Sequence, residues 1–103
     1  MKDKGFLKFK GNESKGVLNY IKYNDDIVSL TQIYSRKVRH IKTEKNIDIA
    51  IGLLSRDFNK TKVDIIDNSQ TVKEVFDYML SQKHTHYKKE YKDLVVLKFA
   101  LSE

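Results

Sequence analysis

The stretch DDIVSLTQIYSRKVRHIKTEKNIDIAI, residues 25–51, decides how this chain folds. It opens on the acidic pair Asp25-Asp26, a turn that interrupts two apolar runs. In IVSLTQIYS the small and β-branched side chains fall on one face, and Val28, Leu30 and Tyr34 fall on the other, which is the period of a strand. SRKVRHIKTEK then has apolar residues only at Val38 and Ile41, a spacing of three that predicts a short helix lying on the surface. IDIAIGLL returns to alternation, with Ile47, Ile49, Ile51 and Leu53 between Asp48, Ala50 and Gly52, and predicts a half-buried strand. Gly52 inside that strand marks a bulge or a close approach of backbone or ligand.

The flanks extend the pattern. GFLKF is a short strand and KGNESKG a turn that carries two of the four glycines. VLNYIKYN is a strand rich in aromatic and β-branched residues, and the short polar turn after it predicts a hairpin with IVSLTQIYS. SRDFNKTK is a polar connection and KVDIID a further strand. In the next segment Thr71 and Glu74 read as a capping box, and Val72, Val75, Phe76, Met79 and Leu80 form the apolar stripe of the longest helix. DLVVLKFALSE is a final strand. Antiparallel strands with short turns and two helical excursions predict a mainly β, α+β domain built as a small antiparallel β-barrel or strongly curved sheet. Proline is absent and no linker interrupts the chain, so residues 1–103 form a single domain.

A domain of 103 residues buries only about 60–65% of its unfolded surface, and association of subunits is a natural supplement. With 40% hydrophobic and 33% charged residues the composition excludes a disordered chain. Cysteine is absent, which excludes disulfides, thiolate zinc sites and thiol nucleophiles and favours a cytoplasmic protein. No apolar run reaches the roughly 20 residues of a membrane span, and MKDKGFLKFKGNESK lacks the apolar centre of a signal peptide. The net charge of +6 favours anionic partners.

Ser35-Arg36-Lys37 is the stretch with the most chemistry. With Ser35 as the N-cap of the short helix, its hydroxyl and the first free amides stand at the positive end of the macrodipole, where an anion is favoured. Arg36 can grip two phosphate oxygens with its planar fork and Lys37 adds a point charge. Thr31 offers a hydroxyl on the preceding strand. The same tripeptide also suits a merely solvated basic helix face, since the chain holds 20 Lys and Arg.

The run from Thr31 through Ser35-Arg36-Lys37 to the apolar strand IDIAI resembles the core of the pyridoxamine 5'-phosphate oxidase-like, FMN-binding split-barrel family. The resemblance covers Val17 to about Ile66, and the spacing of Thr31 to Ser35-Arg36-Lys37 is its most specific part. It implies a split barrel, a homodimer, and FMN as cofactor. It implies that Arg36 and Lys37 contact the FMN phosphate with Ser35 assisting, that Leu30 and Thr31 lie along the ribityl chain and flavin ring, and that Lys22 stands near the flavin. It further implies a flavin-dependent oxidoreductase acting on a small molecule, or a flavin-binding module without catalysis. Lys45 stands where the family turn has Pro, Val17 where the oxidase has a flavin-holding Arg, and Lys62 in place of a Gln. The oxidase's C-terminal substrate-binding Arg and His have no counterpart before Glu103, which argues against pyridoxamine phosphate oxidase activity itself.

Other constellations are weaker. His84-Thr85-His86 suits metal or haem ligation by residue type, but i and i+2 on a helix diverge and no further ligand stands nearby, so a polar helix end explains them and no metal site is expected. HTHYKKEYK interleaves cations with Tyr87 and Tyr91, as single-stranded nucleic-acid sites do, yet no nucleic-acid motif accompanies it. The lysines at 2, 4, 8, 10 and 15 read as a solvated strand edge. No His is paired with a nucleophile, so the sequence names no catalytic residue.

Overall fold

Asn24 and Asp25 have φ of 50° and 67°, the left-handed pair of a tight hairpin turn that Asn and Asp tolerate better than bulky residues. They join β2 (Lys15–Tyr23) to β3 (Asp26–Gln32). The computed structural model describes residues 2–11, 14–85, 87 and 91–101. Before the hairpin runs β1 (Lys4–Lys10); after it come α1 (Arg36–Glu44), β4 (Asn46–Ile51), β5 (Asn59–Ile66), α2 (Ser69–Ser81) and β6 (Leu94–Phe99). This is the element order read from the sequence. All ladders are antiparallel, and the strands close into a barrel in the order β1-β2-β3-β6-β5-β4.

Alternation along the strands sorts side chains into two cores. Leu7, Phe9, Leu18, Tyr20, Ile27, Ile47, Ile49, Val63, Val95, Leu97 and Phe99 fill the barrel, and Val38 and Ile41 of α1 join that cluster. The out-facing Ile21, Val28, Leu30, Leu94 and Val96 are covered by Val72, Val75, Phe76 and Met79 of α2. β3 and β6 are therefore buried on both faces. At Phe9 the cross-strand partner is Gly16, where a Cβ would come within 3.0 Å of the ring; the missing side chain lets Phe9 lie over β2. Gly16 thus belongs to a strand rather than to the preceding turn.

Three local expectations are corrected. The N-cap of α2 is Asn68, whose side chain accepts from the Thr71 N–H at 3.1 Å, so Thr71 lies one turn inside the helix and the Thr71/Glu74 box is not the cap. Asn68 and Thr71 carry the same three-residue spacing, and the helix takes the earlier one. β4 ends at Ile51, before Gly52, which has φ of 92° and no atom within 4 Å of a built Cβ. That glycine is required for its backbone angle, and the turn it makes leaves Leu53 and Leu54 exposed (53% and 96%) instead of continuing the buried alternation. Tyr34, placed by pattern beside Val28 and Leu30, lies beyond the end of β3 and is 81% exposed.

Candidate functional site

The barrel has a seam. β2 and β3 ladder only through Ile21–Val28, Lys22–Ile27 and Tyr23–Asp26, whereas β3 pairs β6 from Ile27 to Gln32. Beyond Val28 the β2-facing edge of β3 has no ladder partner, and the Ser29 hydroxyl bridges the opening by donating to the Asn19 carbonyl at 2.6 Å. A pocket of about 130 Å³ lies in the seam, between Val17, Leu18 and Asn19 on one side and Leu30, Met79, Thr85 and Tyr87 on the other.

At the end of the seam α1 begins. Ser35 is its N-cap, with extended backbone and a hydroxyl that accepts from the Val38 N–H at a long 3.4 Å. The first turn contains no acidic residue, and Arg36, Lys37 and Arg39 follow the cap, an arrangement that the positive helix end disfavours unless an anion is near. Arg36 is exposed and makes no ion pair among the described residues. Lys37 turns back toward the barrel: its Nζ donates to Thr31 Oγ1 at 2.8 Å and lies 5.2 Å from the centre of the Phe9 ring. Burial pushes the Lys37 ammonium below the usual lysine range, because a neutral hydroxyl and a ring face replace only part of its lost hydration.

The six residues singled out by sequence thus divide. Thr31, Ser35, Arg36 and Lys37 come together at one end of β3. Leu30 is buried beneath α2, and Thr31 is fully buried with its hydroxyl engaged, so neither offers a side chain to a large ligand. Lys22 stands elsewhere, paired with Ile27, roughly 13 Å along the strand from Thr31 at about 3.3 Å per residue. Phe9, under the Lys37 ammonium, was missed; its signal was only the glycine facing it.

The two histidines are also placed. α2 ends before His84, whose Nε2 lies 2.8 Å from the Gly5 carbonyl and whose ring meets Phe6 edge-on at 5.4 Å, while His86 lies outside the described residues. Tyr91 packs against Phe76 at 5.8 Å and Tyr87 against the outer core, and both lie beyond the end of α2 at Ser81. Among the described residues no group of three His, Cys, Asp or Glu could hold a metal ion, and no helix is long and apolar enough to cross a membrane.

This closed six-stranded antiparallel barrel with its two helices has the pyridoxamine 5'-phosphate oxidase-like split-barrel fold. The chain superposes on the crystal structure of a NimC/NimA family protein from Clostridium acetobutylicum with a TM-score of 0.60 and 12% sequence identity, covering 92% of this chain and 71% of that one. It is similar in the same way to a protein from Listeria innocua assigned as a pyridoxamine 5'-phosphate oxidase, with a TM-score of 0.62, 8% identity, and coverage of 96% and 83%. No protein-family model matches the sequence, and no curated protein matches it.

Proposed function

We propose that the chain is an FMN-binding protein that anchors the cofactor's phosphate at the start of α1, in a cytoplasmic homodimer. The observation that carries this reading is the Lys37 ammonium: half-buried, next in sequence to Arg36, at a positive helix end, and among the described residues hydrogen-bonded only to a neutral hydroxyl. A phosphate dianion would neutralise that cluster, taking the Arg36 fork, the first free amides and the remaining protons of Lys37. The donor set therefore fits the phosphate of FMN. Ser35 holds the helix start in place, and Thr31 fixes where Lys37 points. The stretch around Leu30 and Thr31 would meet the ligand through the β2-facing backbone edge of β3, which has no ladder partner there, and Lys22 would act from the far end of the seam. Bound FMN would supply two-electron redox chemistry toward a small-molecule substrate, with the protein binding and orienting it.

Dimerisation is supported by the apolar side chains left in water. Phe6 and Val17 are 41% and 50% exposed on the outward faces of β1 and β2, and the exposed Leu53 and Leu54 follow Gly52, whose N–H donates to the Phe6 carbonyl at 2.8 Å. Such patches mark association surfaces.

The test is the absorbance spectrum of the purified chain after mixing with FMN and passage through a sizing column. Retained flavin in a dimer-sized peak is expected, with retention lost in the Arg36→Ala/Lys37→Ala double variant while its far-UV circular dichroism is unchanged. A double variant that holds FMN as well as the parent removes the phosphate anchor at α1.

A further inference from the structure

β1 is laddered to β2 on one side and to β4 on the other, so its outward lysines protect no open strand edge. On the outer face that β1 shares with β4 and β5, Lys10, Lys60 and Lys62 are exposed. Asp48 stands in register with Lys10 on one side and Lys60 on the other, and Asn46 with Lys62. These neighbours nevertheless do not neutralise one another: among the described residues Lys10, Glu44, Asp48 and Lys60 form no ion pair. The Lys10 ammonium lies instead 4.5 Å from the centre of the Phe58 ring, with that of Lys8 at 5.6 Å over the same ring. Phe58 thus holds two cations together on this face.

A groove of about 550 Å³ opens beside them, between Lys10, Asp48 and Lys60 of the strands and His40 and Glu44 of α1, with Asn46 where helix and strand meet. Gly11 also lines it and lies against His40, where a Cβ would come within 3.2 Å of the ring. None of Thr31, Ser35, Arg36 and Lys37 lines this groove, so it is separate from the phosphate anchor.

The groove offers unpaired charge of both signs. An acidic peptide or an anionic lipid surface would satisfy the lysines but set its own negative groups against Asp48 and Glu44. A nucleotide carries both complements in each repeat: a phosphodiester for the ammoniums, and base amino groups for the carboxylates. Base edges are free to be read in this way when the strand is unpaired.

We propose that this groove binds single-stranded nucleic acid, with Lys10, Lys60 and Lys62 on backbone phosphates and Asp48 accepting from a base amino group. Cytosine carries that amino group and thymine does not, so the groove favours cytosine. The inference does not rest on the FMN reading, which concerns the other end of α1.

The experiment is fluorescence anisotropy of short end-labelled oligo(dC) and oligo(dT), titrated with the full chain at neutral pH over a series of salt concentrations. The parent should bind oligo(dC) about fivefold more tightly than oligo(dT), the low end for one base contact. Lys10→Ala/Lys60→Ala should weaken both and make the slope of log affinity against log salt shallower by about 1.4, two phosphate contacts at about 0.7 each. Asp48→Ala should erase the preference for oligo(dC), and Arg36→Ala/Lys37→Ala should keep both the preference and the slope. Equal binding of the two strands by the parent overturns the base contact at Asp48. A slope that changes in Arg36→Ala/Lys37→Ala but not in Lys10→Ala/Lys60→Ala puts the strand on the α1 anchor and overturns the groove. Binding to phosphatidylserine vesicles with none to either oligonucleotide overturns it as well, and each of these results leaves FMN retention as the separate test of the anchor.

Discussion

The two helices, of 9 and 13 residues, have opposite uses. α2 presents Val72, Val75, Phe76 and Met79 to the outer wall of the barrel and balances its exposed charge, with Lys73 and Asp77 paired at 2.8 Å. α1 buries only Val38 and Ile41, at the barrel mouth, and leaves Arg36, Lys37 and Arg39 without a carboxylate in its first turn. A helix that serves packing satisfies itself, whereas α1 keeps a basic first turn with no acidic residue in it, and that turn is the one the proposed phosphate anchor uses.

That contrast breaks most readily at α2. Phe76→Ala should cost about 3–5 kcal/mol, the usual range for emptying a buried aromatic site, read as a fall in the denaturant midpoint. Phosphate-ligand affinity per folded molecule should stay at the parent value, and a matching loss of affinity would show that α2 shares the site.

The caps offer a smaller and more pointed comparison. Asn68→Ala and Ser35→Ala should each cost about 1 kcal/mol of stability, with Ser35→Ala at or below Asn68→Ala because its bond is longer, 3.4 Å against 3.1 Å. Calorimetric unfolding would rank them. Only Ser35→Ala should also weaken FMN retention, since only that cap belongs to the proposed anchor.

The smallest effect sharpens the electrostatic side. Lys37 titrates below its unfolded value of 10.5, so between its folded pKa and 10.5 the unfolded state binds more protons and stability rises with pH. Tyr20 titrates above 10.0, raised first by burial and then by the Asp3 carboxylate; there the folded state holds the extra proton and stability falls as pH climbs past 10.0. Lys37→Met should abolish the rise and leave the fall, in denaturant midpoints measured from neutral pH upward. An unchanged profile would mean that the ammonium is as well solvated folded as unfolded.

Much of this was legible in the linear chain. The hairpin turn, the cap at Ser35 and the apolar stripe of α2 are local, set by residues within one turn of each other, and the sequence showed them. The reading failed where two local solutions compete: Asn68 and Thr71 both satisfy a cap spacing, and Gly52 suits either a bulge or a left-handed exit. Lys45 is instructive. It ends α1 with φ of 63° and an N–H donated to the Ile41 carbonyl, an angle that proline's ring forbids, so no proline at this position could stop the helix in this way.

Sequence by itself determined the order of elements along the chain, the start of α1, and the concentration of Ser, Arg and Lys after β3, because each depends on neighbours along the chain. Only the tertiary structure decided that β3 is buried on both faces, that Thr31 takes up the Lys37 ammonium over Phe9, and that Lys10, His40 and Lys60 line one groove. Those contacts join residues distant in the chain, and which face of a strand meets water is settled by what packs across it.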